Sequence, residues 1–499
     1  MGKTILLFLA LFSGMSLPAQ TDTAWIYTYG GKFDDVCNQI RPALHNGFIA
    51  CGTTSSYGQG NTNMYVIRLD SLCRRQWSAV FGGRDNQAGC AVTTTADRGF
   101  AFAGYTDSYG NGGYDVYLVR ADSSGRMLWQ RTYGGADWDF GYSVKQTKDG
   151  GFVICGLTYS YGAGSGDVYL IRTRGNGDTV WTRTFGGTGC DIGNSITITG
   201  DTLYTITGST TSFGNHDTSA YLIQVDTNGV LRNSHTYGCI RNSSGYSIVP
   251  TLDQGFIQMG SMDSVHSGVR GLMLLKTDHQ GRQQWIEQLT NGAWQEVGKD
   301  VVQAADASFL IAGAAAGGGY GSSSMHIMHY DSGGNYIAGP SFGGNNTQCG
   351  NSVAIGGNGT VVFAGATTSY GSGNNDVFLV RFKNDSIAQN PFVVIHSFYD
   401  SLSPNSIRDA ARQLREVRVF PNPLTDESTV LIADRAGAPY FLNLYDGQGR
   451  CLRRKIAFRS HGHDLSEAKL ERGELCPGLY IYTIERGDEI SYSGKLILE

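Results

Sequence analysis

Charge is scarce in this chain: only 16% of its 499 residues are Asp, Glu, Lys or Arg, and no basic run or stripe stands out. A nucleic-acid-binding surface needs clustered Lys and Arg, so that class of partner is excluded. Intrinsic disorder needs high charge with few aromatics, whereas 11% of this chain is aromatic, with 27 Tyr. Long apolar runs are missing too. Beyond the N-terminus no segment approaches the length of a transmembrane helix. Glutamate is almost absent between residues 20 and 383, where Glu287 and Glu296 stand alone. Nor is there a GxSxG elbow, an HExxH helix or a phosphate loop in a strand–helix setting. These absences count against catalysis, and no catalytic residue, metal site or cofactor is assigned. His326 and His329 are three apart on a predicted strand and face opposite sides, so they cannot share a metal. His461 and His463 offer only two ligands and read as surface residues.

What is present begins with MGKTILLFLALFSGMSLPAQ. Lys3, the apolar run Ile5 to Phe12 and the small-residue exit at Ser16 to Ala19 form a secretory signal peptide, residues 1–19. The first cysteine is Cys37, which argues against a lipid-anchored mature N-terminus. Ten Cys in an exported chain invite disulfides. Yet Cys51 and Cys155 occupy a repeat position that elsewhere holds Ala103 or Met259, so they read as small core residues, and few or no bridges are expected in the repeats. Pairing of Cys451 with Cys476 is left open.

Repetition dominates residues 20–383. An aromatic followed by Gly-Gly recurs every 52 residues at Gly30, Gly82, Gly134 and Gly186, continues at Gly238 and closes at Gly343. Each of seven copies holds four short runs rich in Val, Ile, Tyr and Thr, bounded by Gly, Asn, Asp or Ser, and each run reads as a strand. Four strands per repeat fit one propeller blade. The chain enters on a fourth-strand run, WIYTYGG, and leaves after a third-strand run, DVFLVRF. The expected fold is therefore all-β: a seven-bladed β-propeller closed by its N-terminal strand, which removes exposed sheet edges.

Residues 384–415 lose the pattern and read as a linker with a short helix. Residues 416–499 resume alternating apolar runs with turn signals, as in a small β-sandwich. Here four motifs occur in order: Pro421-Asn422-Pro423 after VRVF, the DGQGR turn with Gly447 and Gly449, PGLY with Gly478 and Tyr480, and GKLIL with Lys495. This segment resembles the C-terminal sorting domain of type IX secretion cargo in Bacteroidota. The resemblance implies a partner in the type IX machinery, outer-membrane translocation, and release or display at the cell surface. The Gly-Gly and DGGF repeats are similar to propeller-like repeats of such cargo.

Within a repeat protein the departures are informative. One column reads Asp35, Gln87, Asp139, Asp191, Ser243, Glu296 and Gln348. Its carboxylates could serve acid/base hydrolysis or a cation on one rim, or simply accept backbone N–H bonds in turns; the repetition favours turns. Trp138 and Trp294 break the repeat beside Asp139 and Glu296, and these four are the candidate ligand-binding residues. Recurrent loop aromatics such as Tyr109, Tyr161, Tyr320 and Tyr370 are expected to pack between blades. The reading is a non-catalytic binding or adhesion module for a carbohydrate or another protein. A polysaccharide hydrolase using rim carboxylates and a purely structural surface protein are the alternatives.

Overall fold

A computed structural model describes residues 23–383, apart from short breaks at 215–216, 239–241, 264–269, 290–295, 316–322, 345 and 372, and beyond them the strands between 392 and 498. The described residues contain no helix. The third repeat shows the unit: strands Asp139–Gln146, Phe152–Thr158, Asp167–Thr173 and Thr179–Phe185 pair antiparallel in chain order. Its first hairpin turns at Gly150, whose φ of +81° suits a residue without a Cβ. Asp149 closes that turn by accepting from Thr147 Oγ1 at 2.7 Å.

Among the described residues, seven such sheets succeed one another before residue 398. In the sixth the outer strand is split into Tyr336–Ala338 and Ser341–Phe342, either side of Pro340, which has no N–H to give a ladder. In the last, Asp376–Phe382 pairs antiparallel with Thr23–Tyr29 from the chain's beginning. The far edge of Thr23–Tyr29 carries a further parallel strand, Phe392–Ser397. The stretch expected to be only linker thus contributes a strand, because the run FVVI is apolar and β-branched. The helix expected after it lies outside the described residues.

Consecutive sheets meet through aromatics. Trp77, Trp129, Trp181 and Trp285, on fourth strands, pack against Phe100, Phe152, Tyr204 and Phe309 on the second strand of the next sheet, with ring centroids 5.9 to 6.4 Å apart. The second and third strands are buried nearly throughout, as continuous apolar runs between two neighbours must be. In three repeats the third-strand base finds a counter-ion within its own sheet: Arg120 with Asp97, Arg172 with Asp149, Lys276 with Asp253. Cys37, Cys51, Cys73, Cys90, Cys155, Cys190 and Cys349 are free thiols.

The C-terminal region forms two four-stranded sheets, one around Glu427–Ala433 and Leu465–Glu471, the other around Tyr440–Tyr445 and Gly478–Arg486. Val430 and Leu470 from the first meet Leu442, Leu444, Tyr480, Tyr482 and Ile484 from the second in one core. Among the described residues, the two sheets thus share one apolar core.

Candidate functional site

The site starts from a glycine. In the second strand of each repeat a Gly faces the first strand so closely that a Cβ on Gly156 would lie 1.8 Å from the carbonyl oxygen of Phe140; Gly104 and Gly208 meet Ala88 and Ile192 in the same way. That room is filled by a β-bulge. Every first strand of the seven sheets slips register there, as between Gly141 and Ser143. A bulged residue is left out of the ladder and re-aimed. The bulged residues are Asn38, Cys90, Tyr142, Asn194, Tyr246, Lys299 and Asn351, and all seven line one cavity of about 280 Å³ where the first strands converge.

Except at Ala91, the residue after each bulge stitches neighbouring first strands together. Ser143 accepts from Ile196 N at 3.3 Å, Ser195 from Ile248 N at 3.4 Å, and Gln39 from Val92 N at 2.9 Å. Ser352 of the seventh sheet accepts from Ile40 N of the first at 3.1 Å. Three bulged asparagines add bonds of the same sense: Asn38, Asn194 and Asn351 donate to Gly89 O, Gly245 O and Cys37 O at 2.7 to 2.9 Å.

Charge enters at the sixth sheet, where this stitching position is Asp300. Its carboxylate accepts from Ser247 Oγ (2.7 Å), Ser352 Oγ (2.6 Å), Val301 N (3.1 Å), Val353 N (3.2 Å) and Arg41 Nη1 (2.8 Å). Burial pushes Asp300 up, but Arg41 and the two serines outweigh it and hold the acid below its ordinary value. Lys145 lies near this pair, and burial together with the Arg41 charge brings it down to about 8. Lys299 sits 4.8 Å from the centre of the Tyr246 ring, a cation–π contact. The Cys90 thiol in the wall is pushed up to about 12 by burial and is no nucleophile near neutral pH.

An aromatic path leads from the surface into this cavity. Trp138 is 55% exposed; its ring lies 6.4 Å from Phe140, which stacks on Tyr142 at 6.0 Å with planes 6° apart. Tyr114 and Tyr105 flank Phe140 at 5.7 and 5.0 Å.

The sequence-selected residues separate. Trp138 stands at the mouth of the path. Asp139, beside it in sequence, is fully buried: its Oδ2 accepts from Gly135 N at 2.8 Å and Ser160 Oγ at 2.7 Å, which holds it below the surface. Asp35 and Asp191 repeat this arrangement with Gly31 and Ser56, and with Gly187 and Ser212. Asp35, Asp139 and Asp191 of the acidic column are thus turn acceptors below the surface. Glu296 opens the strand Glu296–Gln303, whereas Trp294 lies outside the described residues, as does Tyr320. Tyr109, Tyr161 and Tyr370 each donate a hydroxyl to the carbonyl of the first glycine of a Gly-Gly pair, at 2.8 to 3.1 Å, and so pack between repeats. His326 and His329 point to Ser341 and Ser308 respectively. In the C-terminal region Tyr480 is buried, Gly478 opens its strand and Lys495 pairs with Ile481. Pro421, Asn422, Pro423, Gly447, Gly449, Cys476, His461 and His463 lie outside the described residues.

The cavity residues went unselected because their column keeps no one residue type, changing among Asn, Cys, Tyr and Lys from repeat to repeat. Their signal was the fixed frame around a variable position: Gly141-Tyr142-Ser143, Gly193-Asn194-Ser195, Gly245-Tyr246-Ser247 and Gly350-Asn351-Ser352.

With its four-stranded antiparallel sheets, the repeat region is an all-β fold of the propeller type. Residues 418–499 match the family described as a secretion system C-terminal sorting domain. The chain is therefore marked for type IX export to the cell surface or extracellular space. Similar solved structures include Sqt1 from Chaetomium thermophilum, at 11% identity over 69% of this chain and 82% of that one with a TM-score of 0.40. The β-propeller domain of the Trilobed protease from Pyrococcus furiosus is similar at 8% identity, over 71% and 95%, with a TM-score of 0.41. No curated protein sequence matches the chain.

Proposed function

We propose that this chain is a Bacteroidota type IX cargo whose residues 20–383 form a seven-bladed β-propeller closed by the N-terminal strand, acting as a secreted or surface-displayed, non-catalytic binding module. Residues 1–19 are its export signal, residues 384–415 a connection, and residues 416–499 its sorting address. The pairing of Thr23–Tyr29 with Asp376–Phe382 and the bond from Ile40 to Ser352 support the closed arrangement. The observation that carries the binding reading is the path Trp138–Phe140–Tyr142, which runs from solvent into a polar cavity. An exposed indole and two half-buried rings leading to a concave site lined by amides and hydroxyls suit a carbohydrate, whose rings stack and whose hydroxyls exchange hydrogen bonds. A hydrolase needs a carboxylate at the bond to be cleaved, and Asp139 is committed beneath the surface.

The test is retention of the full chain on a panel of immobilised polysaccharides, with assay of new reducing ends. Retention weakened at least fivefold by Trp138→Ala, without new ends, supports the reading. New reducing ends would replace it with hydrolysis, and the absence of retention across the panel would leave a structural role.

A further inference from the structure

The binding reading names a carbohydrate without saying which kind, but the charges around the cavity narrow the choice. Against a chain carrying net −5, Arg41, Lys145 and Lys299 are gathered at or beside its wall. The acid that faces them is Asp300, and its carboxylate is already saturated by the five donors described above. Arg41 uses Nη1 for all its bonds, to Asp300, Ser352 and the carbonyls of Ile40 and Val353. The outer edge of the guanidinium, its Nη2 and Nε, bonds to nothing among the described residues, and the side chain keeps 20% exposure. Lys145 has neither ion pair nor hydrogen bond among the described residues, and Lys299 has only the Tyr246 ring. A site built this way carries more positive charge than its one acid answers. A planar carboxylate matches the free edge of an arginine fork with lysines beside it.

Resting on the carbohydrate reading of the same site, we propose that the ligand is an acidic saccharide. Its uronate carboxylate enters the central cavity against Arg41, Lys145 and Lys299, while neighbouring rings lie along Tyr142, Phe140 and Trp138. The aromatic path supplies affinity for sugar rings of any kind. The cations supply the choice of an acidic one, since a neutral sugar would leave them unanswered in a partly desolvated pocket.

Calorimetric titration of the full chain with short oligogalacturonate, with a neutral oligosaccharide of the same length, and with acetate and phosphate separates the possibilities. The oligogalacturonate is expected to bind at least tenfold more tightly than the neutral chain. That preference should shrink in Lys299→Gln and as salt is raised. Lys299 is exposed, so its replacement leaves the fold intact, and an unchanged melting curve verifies this. Equal affinity for acidic and neutral oligosaccharides would overturn the acidic class while leaving the carbohydrate module standing. Acetate or phosphate binding as tightly as oligogalacturonate, with Trp138→Ala without effect, would make the cavity a free-anion site and also overturn it. Binding by none of the probes would remove the carbohydrate reading itself.

Discussion

The ion pair between Arg172 and Asp149 allows a prediction that a surface salt bridge would not. Arg172 donates through Nη2 to both carboxylate oxygens at 2.6 Å, through Nε to Tyr204 OH at 3.2 Å, and through Nη1 to Thr173 O. The arginine side chain is 9% exposed and the aspartate 66%. The two partners are therefore not equivalent. Asp149→Ala leaves a guanidinium in a mostly dry setting, where an unpaired charge costs about 3–5 kcal/mol if sealed. Here the solvent that bathes Asp149 can reach it, so about 2 kcal/mol is expected. Asp149→Asn keeps the acceptor for Thr147 and Gly151 and loses only the charge, at about 1 kcal/mol. Arg172→Met also strands the fully buried Thr173 carbonyl, for about 2–3 kcal/mol. The double variant Asp149→Asn/Arg172→Met should cost less than the sum by about 1 kcal/mol. Denaturant melts followed by tryptophan fluorescence, with hydrogen exchange over residues 151–173, give both global and local readouts. The pH sign is fixed as well. Asp149 is held below the ordinary carboxylate range by the Thr147 hydroxyl and by Arg172, so its contribution is present above its unfolded pKa and is lost as pH falls through the folded value. Asp149→Asn should lack that loss. If Asp149→Ala costs under about 0.5 kcal/mol, the pair behaves as an exposed bridge and the reasoning fails.

Other substitutions probe other parts of the fold. Burial holds His326 near 4, with Nδ1 2.8 Å from Ser341 Oγ, so the unfolded chain binds its proton first. Stability should fall between pH 6.5 and 4 at up to about 1.4 kcal/mol per pH unit, and His326→Gln should flatten that slope; an unchanged slope would put the acid sensitivity elsewhere. Asp115 is raised by burial and, less, by neighbouring Asp139, so its favourable protonated form is lost as pH rises through its folded pKa. Asp115→Asn, copying Asn63 of the first repeat, should gain up to about 1 kcal/mol at pH 7 and nothing at pH 3; a loss at pH 7 would mean that the carboxylate is needed. A Cβ on Gly134 would lie 2.1 Å from Asp115 Oδ1 and 2.6 Å from Asp139 Oδ2, so Gly134→Ala should cost about 2 kcal/mol or more, and a neutral result in a thermal melt would contradict that crowding.

Strand existence was legible because each repeat states it separately: DVYLVR and DVYLIR could be read as third strands without reference to neighbours, and both are buried end to end. The Tyr-Gly loops were also readable, since a side chain kept in nearly every copy is held by something present in every copy, here the Gly-Gly carbonyl. Three features escaped. The bulge cannot be counted from a strand's own alternation; it shows only when the partner's glycine is set against it, as Gly156 is against Phe140. The burial of the acidic column escaped too: its repetition pointed to turn acceptors, but Asp139 was also kept as a ligand candidate because its position along the strand is near the end. Asp139 Oδ2 nevertheless turns back to Gly135 N and Ser160 Oγ, across 21 residues in the second case. The strand Phe392–Ser397 had no repeat to announce it, and its partner begins at Thr23, at the other end of the chain.

The way columns vary separates construction from recognition more sharply than their chemistry does. Positions that build the fold change in pairs. Gly134 and Gly186 are flanked by Asp115 with Asp139 and by Asp167 with Asp191, whereas Gly82 is flanked by Asn63 with Gln87 and Gly343 by Ser324 with Gln348; no mixed acid–neutral pair occurs among these four. The turn acid is reused when the third-strand base changes: Lys276 keeps Asp253, and where Gln224 replaces the base, Asp201 turns instead to Lys148 of the preceding repeat. The bulge column obeys no such rule. Asn, Cys, Tyr, Asn, Tyr, Lys and Asn follow one another there while Gly sits before six of the seven, because the bulge geometry is set by backbone and glycine and not by the side chain it presents. A position whose backbone is fixed and whose side chain is free to change is where a repeat fold can acquire specificity without loss of stability. Those seven side chains are the ones that share the cavity.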